Sequence, residues 1–174
     1  TVGGGPGAIS NRIVVGAGAA FTNINVSATV PGLLVGTNAG ANFNSFVVTN
    51  GGRYYMSSGA VRIGAGVVNA TGAAIAGGGN NTVILSNSFL NIYGGNLSFV
   101  PDVTWIGYGS SNNTFSILGD SEVYLPWDVN VNNYPGLRIG IGAAANNAMT
   151  IDNAFVHGTN LMVIVGQGGS ATNY

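Results

Sequence analysis

At 174 residues the chain is long enough for one domain with a sizeable core. Its formal net charge of −1, from four arginines against five acids, gives nucleic acid or anionic lipid no cluster of cations to meet. Charged residues are 5% of the chain, against about 25% in globular proteins, while glycine supplies 30 residues and cysteine none, which excludes disulfides and thiolate metal sites.

No run reaches the roughly 18 apolar residues of a membrane-spanning helix, so no membrane insertion is expected. The opening "TVGGGPGAIS" lacks the charged and apolar regions of a signal peptide, which reads as a mature chain or a fragment. Asparagine supplies 23 residues and lysine none. A surface finished in Asn, Ser, Thr and Gly with so little charge suits an assembled material, extracellular or on a cell surface, better than a free monomer.

In chain order, the first predicted strand is "IVVG" (13–16), followed by "LLVG" (33–36), "VRIG" (61–64), "TWIG" (104–107), "LRIG" (137–140) and "VIVG" (163–166). Each ends in glycine after a β-branched residue: Val15, Val35, Ile63, Ile106, Ile139 and Val165. Period-two alternation turns these inward and leaves a middle column, Val14, Leu34, Arg62, Trp105, Arg138 and Ile164, facing solvent or an interface.

After a Gly/Ser/Ala-rich turn comes a second strand: "NSFVVTN" (44–50), "NTVILSN" (81–87), "NTFSILG" (113–119) and "NAMTIDN" (147–153). Its inward columns are Phe46, Val83, Phe115, Met149 and Val48, Leu85, Ile117, Ile151. A looser third block follows, "RYYMSSG", "FLNIYGG", "EVYLPWD" and "AFVHGTN", before the cycle restarts.

The steps between successive strand-ending glycines are 20, 28, 43, 33 and 26 residues, so the turns vary while the strands persist. This predicts an all-β, single domain over 1–174: a parallel β-solenoid (β-helix) of about six coils, with three short strands per coil. Asn tolerates the left-handed region at corners, and stacked equivalents pair their amides along the axis. Asn44, Asn81, Asn113 and Asn147 are expected to form such a ladder.

Two pieces, "LLVGTNAGANFNSFVVTNGG" and "WIGYGSSNNTFSILGDS", resemble the repeats of bacterial autotransporter-like passenger proteins, with their short apolar strand, glycine, Gly/Ser/Asn turn and Asn-led second strand. The resemblance covers residues 33–153 best. It implies a parallel β-solenoid on the cell surface, usually without assigned chemistry.

The final "VIVGQGGSATNY" opens a repeat, and joining Tyr174 to a second copy's Thr1 sets Thr1 and Val2 in the places of Thr82 and Val83. Head-to-tail stacking of copies, or one period of a longer repeat chain, follows as the expectation, because uncapped solenoid ends expose strand edges.

Catalysis would need paired carboxylates, and the candidates are Asp102, Asp120, Glu122, Asp128 and Asp152. Asp120 and Glu122 share a face if extended, and Asp152 aligns near Asp120 one coil on. Turn-forming Asp and solvated Glu account for them more simply. A polysaccharide-cleaving β-helix is therefore a distant alternative, and a non-enzyme is expected.

His157 stands without a metal-binding set, and "AIAGGGNN" lacks the Lys of a phosphate loop, so no metal or cofactor is expected. Trp105, Tyr108, Tyr124, Trp127 and Tyr134 are close in sequence and form the candidate face, either for contact between subunits or for the glycans of a surface adhesin. The N-x-[ST] pattern marks Asn25, Asn69, Asn80, Asn96 and Asn112 as possible glycosylation sites.

Overall fold

Alternating β-branched and aromatic residues, interrupted by glycine and asparagine, cut the chain into strands of three to six residues. A computed structural model describes residues 1–23, 32–57, 61–67, 74–92, 103–125, 136–158 and 162–168. The first coil runs β1 (Arg12–Val15), β2 (Ala20–Asn23) and β3 (Leu33–Val35). The second runs β4 (Ser45–Thr49), β5 (Arg53–Met56) and β6 (Val61–Ile63).

A hairpin, β7 (Ala65–Val67) and β8 (Ala74–Ala76), interrupts the cycle. The third coil then resumes as β9 (Thr82–Ser86), β10 (Phe89–Ile92) and β11 (Val103–Tyr108). The fourth is β12 (Thr114–Leu118), β13 (Glu122–Tyr124) and β14 (Gly136–Ile141). The fifth is β15 (Ala148–Asp152), β16 (Phe155–His157) and β17 (Met162–Gln167).

Corresponding strands stack into three parallel sheets, each five strands deep. The first sheet is β1-β4-β9-β12-β15, the second β2-β5-β10-β13-β16 and the third β3-β6-β11-β14-β17. The fold is thus a parallel β-solenoid with no helix among the described residues.

In the first sheet Ile13, Phe46, Val83, Phe115 and Met149 lie directly over one another, as do Val15, Val48, Leu85, Ile117 and Ile151. Phe46, Tyr54, Met56, Leu90, Ile106 and Ile117 are buried along the axis. Each inward residue therefore finds its apolar partner one coil away, and a slip of one residue would turn every such column outward.

Two readings of the repeat are corrected. Among the described residues full coils number five rather than about six, and "IVVG" belongs to the first sheet, where Ile13 pairs with Phe46 and Val15 with Val48. The missing member of the third sheet is "TVG" at 1–3: Val2 is buried and pairs in parallel with Val35. Val2 therefore stands in the third sheet and does not take the place of Val83, which is in the first.

The physical clue was spacing. Gly16 to Gly36 is 20 residues, the shortest step in the series, whereas Gly3 to Gly36 is 33 and falls among the steps between the later glycines.

Glycine ends the third-sheet strands for a reason beyond turn geometry. Gly3, Gly36, Gly64 and Gly107 sit at φ between +60° and +77°. A Cβ at any of them would overlap the side-chain amide of Asn44, Asn81, Asn113 or Asn147 respectively. Each glycine leaves the room into which the ladder asparagine of the coil above is laid.

Candidate functional site

The corner before the first sheet carries a continuous amide ladder. Asn44 Oδ1 accepts from both the backbone N–H and Nδ2 of Asn11, at 3.0 and 2.9 Å. Asn81 Oδ1 accepts the same pair from Asn44, Asn113 from Asn81, and Asn147 from Asn113, at 2.9–3.2 Å. Asn44, Asn81, Asn113 and Asn147 are fully buried, so these bonds satisfy groups that water does not reach.

Asn11 is a fifth rung that sequence reading did not single out. It follows Gly3 by eight residues, as Asn44 follows Gly36. The ladder has a direction, since every oxygen takes protons from the N-terminal side.

The inward columns end in the open at both extremes of the axis. Ile13 and Phe21 are 36% and 43% exposed on the first coil. Ile151, Val163 and Val165 are 52%, 55% and 47% exposed on the fifth. Val35, Ile63 and Ile106, in the same column as Val165, are fully buried.

On the outer face of the third sheet Trp105 is stacked between two guanidinium groups, Arg62 at 5.4 Å and Arg138 at 5.7 Å from the ring centre. The expected open column is covered here: Arg62 is 1% and Trp105 7% exposed. The hairpin packs on β11, Ala65 is buried against Trp105, and Arg62 Nη1 donates to the Gly66 carbonyl at 3.4 Å. Tyr108 packs on Trp105 with ring centres 4.9 Å apart.

The second sheet carries an outer aromatic track that runs across four coils. Tyr55 and Phe89 have ring centres 5.7 Å apart, Phe89 and Tyr124 5.7 Å, and Tyr124 and His157 are stacked at 4.3 Å. Glu122 Oε1 accepts the Tyr124 hydroxyl at 2.6 Å and pairs with His157 Nε2 at 3.0 Å. That hydrogen bond to Glu122 raises the Tyr124 phenol pKa above its usual value.

Beside the track, at the corner between the first and second sheets, a cleft of about 260 Å³ is lined by Arg53, Ser88, Phe89, Asp120 and Glu122, among others. Asp120 and Glu122 therefore do share a face. The residue against Asp120 from the next coil is Asn153, whose Nδ2 donates to its Oδ1 at 3.3 Å; Asp152 pairs with Leu118 instead.

The five candidate aromatics do not form one face. Trp105 and Tyr108 belong to the third sheet and Tyr124 to the second, while Trp127 and Tyr134 lie outside the described residues. Asn25, Asn69, Asn96, Asp102 and Asp128 also lie outside them. Asn80 and Asn112 are exposed corner residues in the left-handed region.

Sequence reading missed Tyr55, Phe89 and His157 as one surface. Their signal was present in the third block, whose outward positions are read only once its strands are in register. Among the described residues no group of three or more His, Cys, Asp or Glu could hold a metal ion, and no helix is long and apolar enough to cross a membrane.

No protein-family model, curated protein or solved structure matches the chain.

Proposed function

We propose that the chain is a structural building block of an extracellular filament or surface layer, assembled by stacking solenoid ends head to tail. The carrying observation is that apolar columns buried in the middle coils end exposed at Ile13 and Phe21 on one extreme and at Ile151, Val163 and Val165 on the other. The directional ladder makes the two ends unlike, so they join in one sense, and a heterologous contact that does not close gives a filament. Low charge and the absence of lysine favour close approach of copies.

Stacking in continuous register has one steric requirement. Val2 occupies the third-sheet place next to Val35 that a neighbour's β17 would take. The Thr1–Gly3 segment, held by bonds such as Val2 N–H to Leu34 O at 2.8 Å, gives way on docking.

Sedimentation velocity across micromolar concentrations tests the reading. The chain sediments as concentration-dependent oligomers, the Ile151→Lys/Val165→Lys variant as a monomer, and deletion of residues 1–3 strengthens association. A wild type that stays monomeric throughout would overturn it.

A second reading, a surface adhesin that holds glycans on an aromatic face, is favoured by the aromatic track on the second sheet.

A further inference from the structure

The track and the cleft beside it form one continuous surface from the second coil to the fifth, because Phe89 belongs to both and Glu122 links them through Tyr124 and His157. We infer that this surface is a carbohydrate-binding site for a neutral pyranose oligosaccharide laid along the solenoid axis, with Phe89 as its aromatic platform, the Tyr124–His157 stack extending its apolar edge, and Arg53, Ser88 and Glu122 as its hydrogen-bonding groups. The inference rests on the adhesin reading and is independent of stacking.

Three features argue for a sugar over a protein surface. Half-exposed rings placed between charged and amide groups suit a ligand that is apolar on its C–H faces and hydroxylated at its edges. Arg53 is exposed, and an apolar protein face laid over it would strip its water without replacing the bonds; hydroxyl groups replace them.

The third feature is Ser88. It is 6% exposed and lines the cleft, and its hydroxyl has no hydrogen-bond partner among the described residues. Its backbone N–H is satisfied by Ser121 Oγ at 3.2 Å, so the idle group is the one a ligand can use. Buried hydroxyls are rarely left in this state.

Charge selects within the sugars. Arg53 stands against Asp120 and Glu122, one formal negative charge in excess, so a uronate or sulfated chain meets repulsion that a neutral chain does not.

The test is isothermal titration calorimetry of the full chain with neutral hexasaccharides of glucose, xylose and N-acetylglucosamine, and with oligogalacturonate. At least one neutral hexasaccharide is expected to bind, and oligogalacturonate to bind more weakly. Phe89→Ala should weaken binding about tenfold or more. Ser88→Ala should weaken it severalfold while leaving the thermal midpoint unchanged or higher, because it deletes a hydroxyl that holds nothing inside the protein. Glu122→Gln should weaken it with the fold intact by far-UV circular dichroism.

If no saccharide binds, both the adhesin reading and this site fall. Binding that all three variants leave untouched keeps the adhesin reading and overturns the site, and tighter binding of oligogalacturonate overturns the neutral assignment.

Discussion

Asn81 takes two protons from Asn44 and gives two to Asn113, so a single buried side chain joins three coils. Asn81→Ala leaves the Asn44 N–H groups and the Asn113 oxygen short of partners in a place water does not reach. It should cost about 2–4 kcal/mol in chemical denaturation.

Phe43 is the opposite case. It is 58% exposed at φ +59°, where the equivalent residues of later coils are Asn80, Asn112 and Asn146 at φ +54° to +60°. An aromatic side chain gains nothing there and strains the backbone, so Phe43→Asn should stabilise by about 1 kcal/mol.

Tyr54 adds a pH dependence. Burial pushes its phenol up to about 12, with the Asn23 side chain pulling the other way. In the unfolded chain a phenol ionises near pH 10. The raised folded value means that stability from the buried neutral phenol is complete below about pH 10 and is lost as the pH climbs toward 12, by up to about 2–3 kcal/mol. Denaturation midpoints followed over that window should fall in the wild type and fall less in Tyr54→Phe.

At the scale of the element, strands were legible because a buried column leaves the same trace each time it recurs. Val83, Phe115 and Met149 share one place in one sheet, and the sequence pattern said so. What was not legible was the phase of the first coil. "IVVG" carries the same apolar alternation as the third-sheet strands although it sits in the first sheet, and alternation alone does not tell one sheet of a solenoid from another.

The hairpin was hidden for a related reason. Nothing in the outward position of Trp105 shows that Ala65 will be laid over it. From glycine to ladder asparagine the usual step is six to eight residues, but Gly64 to Asn81 is 17, and that excess is the hairpin. Removing residues 65–74, and with them Ala65 and Gly66, restores a step of seven. The solenoid should survive by far-UV circular dichroism while Trp105 emission shifts to longer wavelength; unchanged emission would mean that the hairpin does not cover the ring.

At the scale of the molecule, no coil keeps its own interior dry. Ile106 is fully buried because β6 and β14 lie on either side of it, and Val165 is 47% exposed at the end of the same sheet. The candidate surfaces were only partly legible for the same reason: an outer track exists only after coils are stacked, so Tyr55, Phe89 and Tyr124 become neighbours through register and not through sequence distance.

The same stacking is proposed to continue from copy to copy, and X-ray diffraction from aligned, concentrated protein tests that most directly. The account predicts long particles with a reflection near 4.8 Å along the particle axis, from strands perpendicular to it. Monodisperse particles of single-chain size, with no axial repeat at any concentration, would contradict it.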